Sequence, residues 1–367
     1  MNHSYITSIS TANPPHRFDQ MKVAEFMIKT QNMNEAESRQ LRAIYRASGI
    51  KSRYSSIPDF GNEVEDYQFF PPNQSAEPFP STSHRMDHFN QHALPVSLQA
   101  AKNCLKNKDL RQITHLITIS CTGMNAPGLD IQLVEALELS FSVQRTAVNF
   151  MGCYAAFNAL KLADAIVRAD PQAQVLIVGT EFCTLHFHKE KDENNLLANA
   201  LFGDGSAAVL VEGKPGPGTS LRMQQFFCDL APVGKQEMAW KIGDHGFEMK
   251  LTRKVPDVIK LGIKQLYINL LNSLEDQVNQ IDFYAIHPGG KKILKVIEEE
   301  LELSSHDNRW AYQVLAENGN MSSVTVLFVL KSIMEHLQES DHNKNILSFA
   351  FGPGLTLESM LLNIHHA

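Results

Sequence analysis

The chain is poor in the features that would tie it to nucleic acid, to a membrane or to a disulfide scaffold. Lys and Arg number 33 against 40 Asp and Glu, a net charge of −7, and no Lys/Arg block supplies the basic face that a phosphate backbone demands. No apolar run reaches the roughly 20 residues needed to cross a bilayer, and Met1 to Arg17 lacks the basic-then-apolar pattern of a leader. Cytoplasmic residence, without a nucleic-acid or membrane partner, is expected. Five cysteines (Cys104, Cys121, Cys153, Cys183 and Cys228) include no CxxC pair, so neither a disulfide framework nor a zinc ribbon is suggested. His186 and His188 space like two strand ligands, yet no third ligand accompanies them, and no metal is expected. A hydrophobic share of 43% is that of a globular chain with a large core.

What is present is alternation. Short β-rich runs such as His115 to Thr122 and Val175 to Thr180 exchange with helical patterns such as Tyr154 to Ala169, which predicts a layered α/β fold. The stretch EGKPGPGTS, Glu212 to Ser220, divides the chain into halves of residues 1–212 and 213–367. Each half ends in a glycine-marked tail, FGDGSAAVLV from Phe202 and FGPGLTLESML from Phe351, a hint of internal duplication.

Three residues stand where chemistry is possible. Cys153 follows a β-type run and Gly152 and precedes an Ala/Leu-rich helix, which puts the thiol at a helix N-terminus, where unpaired N–H groups favour a thiolate. A buried structural cysteine is the alternative. His287 closes the strand Ile281 to Ile286 and opens onto Pro288, Gly289 and Gly290, a loop that a substrate can approach closely. Asn320 enters a long apolar helix from a run of small residues, a place where an amide also serves as a cap. Together they supply a nucleophile, an imidazole and an amide donor, the groups needed to hold an acyl chain and stabilise a thioester enolate.

In these segments the sequence resembles the chalcone and stilbene synthases, the type III polyketide synthases, in a bacterial-like form. The likeness covers almost the whole chain and rests on CTGMNAPG (Cys121 to Gly128), the Met151 to Tyr154 segment around the cysteine, ALFGDG (Ala200 to Gly205), HPGG (His287 to Gly290), GNMSS (Gly319 to Ser323) and FGPG (Phe351 to Gly354). The resemblance implies a thiolase-like αβαβα five-layered sandwich of two pseudo-repeats, a homodimer, and malonyl-CoA and an acyl-CoA starter as substrates, with no cofactor. It implies that Cys153 carries the acyl chain, that His287 and Asn320 form the oxyanion site, and that His287 keeps the cysteine ionised. Phe202 matches a gatekeeper between the CoA tunnel and the cavity; Ser322 matches a cavity serine, and Gly352 and Pro353 belong to a loop that shapes the wall. Met249, His186 and Trp240 stand where plant members carry phenylalanine, threonine and glycine, so a bulky Trp240 implies a small product. The CoA contacts fall near Arg46, Lys51, Arg53, Gly289 and Gly290.

Three relatives of the fold fit less well. A ketoacyl-ACP synthase III shares the Cys-His-Asn set but continues its histidine with alanine and asparagine where this chain has Pro-Gly-Gly. A hydroxymethylglutaryl-CoA synthase needs a glutamate beside the cysteine, and none is near Cys153 in sequence. A thiolase needs a second late cysteine. A CoA-binding scaffold without turnover is the remaining alternative.

Overall fold

The computed structural model describes residues 2–106, 108–274, 278 and 280–366. The first half runs β1 (Tyr5–Ala12), β2 (His16–Asp19), α1 (Gln20–Thr30), α2 (Glu35–Ala47), β3 (Ser52–Ser55), α3 (Thr82–Cys104), β4 (His115–Ser120), α4 (Leu129–Ala136), β5 (Gln144–Asn149), α5 (Ala155–Ala169), β6 (Gln174–Phe182), α6 (Glu193–Leu201) and β7 (Asp204–Glu212). The second continues with β8 (Thr219–Leu230), β9 (Met238–Gly243), β10 (Gly246–Leu251), α7 (Val255–Asn272), β11 (Phe283–Ile286), α8 (Lys291–Leu301), α9 (Arg309–Asn318), α10 (Thr325–Met334), β12 (Asn345–Gly352) and β13 (Thr356–His366).

The duplication hinted at by the two tails is plain in the pairing. β1–β7 and β7–β6 are antiparallel and β6–β4 is parallel; β8–β13 and β13–β12 are antiparallel and β12–β11 is parallel. The two half-sheets touch where Tyr5 and Ile6 pair with Arg222 and Leu221, which makes one nine-stranded sheet of order β11-β12-β13-β8-β1-β7-β6-β4-β5. Strands β6 and β7 are buried almost without interruption, as expected of strands covered on both faces.

Five layers follow from which helices touch which strands. α3 packs on β1, β6 and β7 from one side, and α7 packs on β8 and β13 from the other. Between them α5 touches β4 to β7 and also β13, while α10 touches β1, β7 and β11. Both central helices have the composition their place requires: α5 meets its neighbours through Ala155, Ala156, Ala159 and Ala163, and most of α10 (TVLFVLKSIM) is buried. The β9–β10 hairpin forms a separate two-stranded sheet, with Met249 opposite Trp240.

Candidate active site

Each of the three candidate residues occupies a junction made by the repeat. After β5 the chain turns through Phe150 and Gly152, at φ of 59° and 85°, into Cys153 and then α5. A side chain on Gly152 is excluded twice, by that left-handed backbone and by Pro353, whose Cδ lies 2.3 Å from where a Cβ would stand. His287 follows β11 directly and donates its backbone N–H to Phe349 at 2.8 Å, while Gly289 donates back to the His287 carbonyl at 2.9 Å. Asn320 lies between α9 and α10 after Gly319, whose φ is 72°.

The side chains of Cys153, His287 and Asn320 line one narrow cavity of about 30 Å³, room for about two water molecules. The amide of Asn320 has a fixed sense. Its Oδ1 accepts from Ser322 N at 2.9 Å and from Thr325 Oγ1 at 3.3 Å, and its Nδ2 lies 3.4 Å from the Gly289 carbonyl. The NH₂ edge is therefore the one turned to the Gly289 carbonyl and the Cys153 sulfur. Asn320 thus caps the following turn and presents a donor at once.

Burial dominates the electrostatics of the cysteine and the histidine. Burial pushes the Cys153 thiol up to about 12; facing Ser322 and Asn320 pull it down, and the charge of Glu181 pushes it further up. Burial alone lowers His287 to about 3, and neither ring nitrogen has a hydrogen-bond partner among the described residues. Burial thus favours thiol and neutral imidazole, and works against the thiolate that the resemblance assigns to the pair.

Glu181, absent from the sequence reading, is the carboxylate of this neighbourhood. It is the last residue but one of β6, buried from Val175 onward, and its Oε2 accepts from Cys121 N at 2.9 Å and Thr122 Oγ1 at 3.2 Å, while Oε1 accepts from Ser323 Oγ. Burial raises it to about 7. A carboxylate ending the apolar run VLIVGT was the available signal.

Three cavities adjoin one another through shared walls. A surface mouth of about 260 Å³ includes Gly289, Gly290, Arg253, Lys291 and Lys292; it shares Leu251, Gly289 and Ile293 with the catalytic cavity. The catalytic cavity shares Phe202, Trp240 and Met249 with a rear chamber. Phe202 and Met249 stand, with Trp240, on the wall shared by the catalytic cavity and the rear chamber, and neither lines the mouth. Trp240 lines the cavity: its ring stacks at 27° and 28° on Phe150 and Phe202, at 6.0 and 6.4 Å, and meets His186 edge-on at 6.0 Å.

Other placements differ from expectation. His186 lines the rear chamber and not the catalytic one. Ser322 sits beside the sulfur, at a φ of 48°. Pro353 lines the cavity, whereas Gly352 backs it: a Cβ there would lie 2.5 Å from the Tyr154 ring, so its role is close packing behind Cys153. Arg53 is 3% exposed and donates to the carbonyls of Asn199 and Phe202 at 2.7 and 2.6 Å, which removes it from any CoA phosphate. Arg46 and Lys51 are exposed and bracket Ala47 and Ser48 of the mouth wall in sequence without lining it. Lys291, Lys292 and Arg253 are the cations the mouth does contain.

The patterns of known families meet this geometry over nearly its whole length. The N-terminal domain of chalcone and stilbene synthases matches residues 2–215 and their C-terminal domain residues 221–365. The chain belongs to that family. It is a type III polyketide synthase, an acyl-transferring condensing enzyme with the thiolase-like fold. The chain is 30% identical over 366 residues to "Alpha-pyrone synthesis polyketide synthase-like Pks18" of Mycobacterium tuberculosis, covering 98% of this chain and 91% of that protein. "Probable polyketide synthase 1" of Dictyostelium discoideum is 28% identical, and the chain covers 11% of that longer protein. Among solved structures, PKS-I of the brown alga Ectocarpus siliculosus superposes with a TM-score of 0.92 at 28% identity, covering 99% and 98% of the two chains. The C-terminal type III domain of Steely1, a type I/III hybrid from Dictyostelium, gives 0.89 at 26% identity and 99% of both.

Proposed function

We propose that this synthase carries out iterative decarboxylative condensation of malonyl-CoA onto an acyl-CoA starter, with Cys153 as nucleophile and His287 and Asn320 as donors to the thioester oxygen. The reading rests on one relationship: the three side chains line the same buried cavity, next to a mouth with three cations. The thiol of Cys153 passes its proton to His287 as it attacks the starter thioester, and that proton leaves on the CoA sulfur. Malonyl-CoA then loses carbon dioxide while the negative charge that develops on its thioester oxygen meets the N–H groups of His287 and Asn320. The enolate carbon attacks the Cys153 thioester, forming the new carbon–carbon bond and releasing the sulfur for the next round.

The rear boundary at Phe202, Trp240 and Met249 favours a short chain, which then closes to a small phenol or pyrone. CoA thioesters are the only small molecules required, without cofactor or metal, and the cytoplasm is the compartment that supplies them. A homodimer is supported by β5, an edge strand exposed along nearly all its length, beside Phe141 at 90% exposure; an open strand edge next to an apolar side chain is a surface that a second copy can cover. The halves, 1–212 and 213–367, divide the work, the first bringing the cysteine and the second the histidine and asparagine. Purified enzyme with malonyl-CoA and a panel of acyl-CoA starters, followed by mass spectrometry, tests the proposal. Chain-extended, cyclised products in the wild type and none from Cys153→Ala support it; full product formation by that variant sinks it.

A further inference from the structure

The rear chamber, about 30 Å³, has a largely apolar wall that includes Val23, Met27, Phe60 and Phe187. Arg53 interrupts it. This guanidinium is 3% exposed, lies over the Tyr45 ring at 5.5 Å, and uses Nη1 on two neutral carbonyls; Nη2 has no partner among the described residues. The Tyr45 hydroxyl is the polar side-chain group beside this guanidinium, and a buried cation with Nη2 unanswered is costly unless an anion meets it.

Two further donors line the same chamber. His186, 7% exposed, accepts the Phe247 N–H on Nδ1 at 3.0 Å, so the proton of the neutral ring sits on Nε2, which faces the Thr122 carbonyl without closing a hydrogen bond among the described residues. Burial holds that imidazole neutral, with the nearby charge of Arg85 acting in the same direction. Trp240 Nε1–H is the third donor without a partner. The polar neighbours are already engaged: Thr184 Oγ1 bonds Ser55 and Asp204, and Asn199 Nδ2 donates to the His188 carbonyl.

We infer that the rear chamber is a carboxylate-binding subsite, built for a carboxylate on a short apolar stem at the far end of the acyl chain. One cation and two neutral N–H groups in a small apolar enclosure match an anionic oxygen pair and leave a hydrocarbon end nothing to bond. The volume admits the carboxylate head alone, so the stem crosses the partition between Phe202, Trp240 and Met249. The inference rests on the condensing reading above, because it assigns the far end of a chain whose near end is on Cys153.

Trp240 makes the chamber observable. In a Trp310→Phe background it is the single tryptophan, since the chain has two, and its fluorescence can be titrated with butanoate and with its neutral isostere butanamide. Butanoate should bind at least about tenfold more tightly, the scale of one charge-assisted hydrogen bond. Arg53→Met should bring the ratio near one and Arg53→Lys should restore part of it. His186→Phe, which keeps the stacking on Phe247, should lower the ratio severalfold and serves if the Arg53 variants fail to fold by circular dichroism. The double change Lys291→Ala, Lys292→Ala should leave the preference in place, which separates this chamber from the mouth. Succinyl-CoA and butanoyl-CoA as starters then locate the carboxylate: preference for succinyl-CoA puts it on the starter, whereas no preference with inhibition by butanoate puts it on a released acid. Equal binding of butanoate and butanamide, or a preference unmoved by both Arg53→Met and His186→Phe, overturns the subsite. Release of carbon dioxide from malonyl-CoA, measured on the same preparation, reports on the condensing reading separately.

Discussion

Gly203 donates its backbone N–H to the carbonyl of Asn320 at 3.0 Å, and Asn320 returns its own N–H to Leu201 at 2.9 Å. Phe202 lies between the two bonds, so this partition residue and Asn320 are fastened to one another across the two halves of the chain. Asn320→Ala is expected to slow malonyl-CoA decarboxylation by about 100- to 1000-fold, the loss for one oxyanion donor. Asn320→Asp keeps the acceptor for Ser322 N but places a carboxylate where negative charge develops, and should be at least as slow. Release of labelled carbon dioxide measures both, and an unchanged rate in either variant counts against the role.

The resting ionisation of Cys153 can be read chemically. With its thiol held up at about 12, alkylation by iodoacetamide should keep rising through pH 9, because the thiolate fraction grows as pH climbs toward the folded value. A plateau below pH 8 would instead mean a thiolate already stabilised by His287.

Glu181 should leave a signature in stability. Its folded value of about 7 lies above the ordinary 4.5, so the folded form binds the extra proton and the associated stability is lost as pH rises from 4.5 through 7. Glu181→Gln removes that dependence. The melting temperature of the variant relative to wild type should rise across this window and level off above it; a flat difference refutes the buried, protonated carboxylate.

Trp240 is the largest side chain on the partition. Trp240→Gly should lengthen or diversify the products seen by mass spectrometry, with carbon dioxide release per active site unchanged or higher. An identical profile would mean that chain length is set elsewhere.

At the open edge, Phe141→Glu should weaken self-association by at least about tenfold, one buried apolar side chain exchanged for a charge. Sedimentation equilibrium measures this. A wild type that is monomeric at micromolar concentration would remove the dimer from the proposal.

The sequence was most informative where function needs a break in regular structure. Cys153 and Asn320 each follow a glycine, and His287 ends a strand before Pro288, Gly289 and Gly290; such junctions are local. Arg53 was misread because its environment comes from Asn199 and Phe202, far along the chain; nothing beside it in sequence distinguishes a buried guanidinium from a surface one. Glu181 was missed for the same reason, since Cys121, Thr122 and Ser323 reach it only through the fold. The hairpin β9–β10 also escaped notice, its short strands mixing charged and apolar residues without a clean period. Lys291 and Lys292 lay directly after HPGG, yet only the shared mouth shows that they, and not Arg53, face the surface there.

Two of the three partition side chains, Trp240 and Met249, are carried by six-residue strands that belong to no other sheet, while Cys153 follows a strand of the nine-stranded one. Mutation can therefore rewrite the hairpin without disturbing the reactive thiol. Descendants of such an enzyme can acquire new metabolites while inheriting an unaltered way of making carbon–carbon bonds.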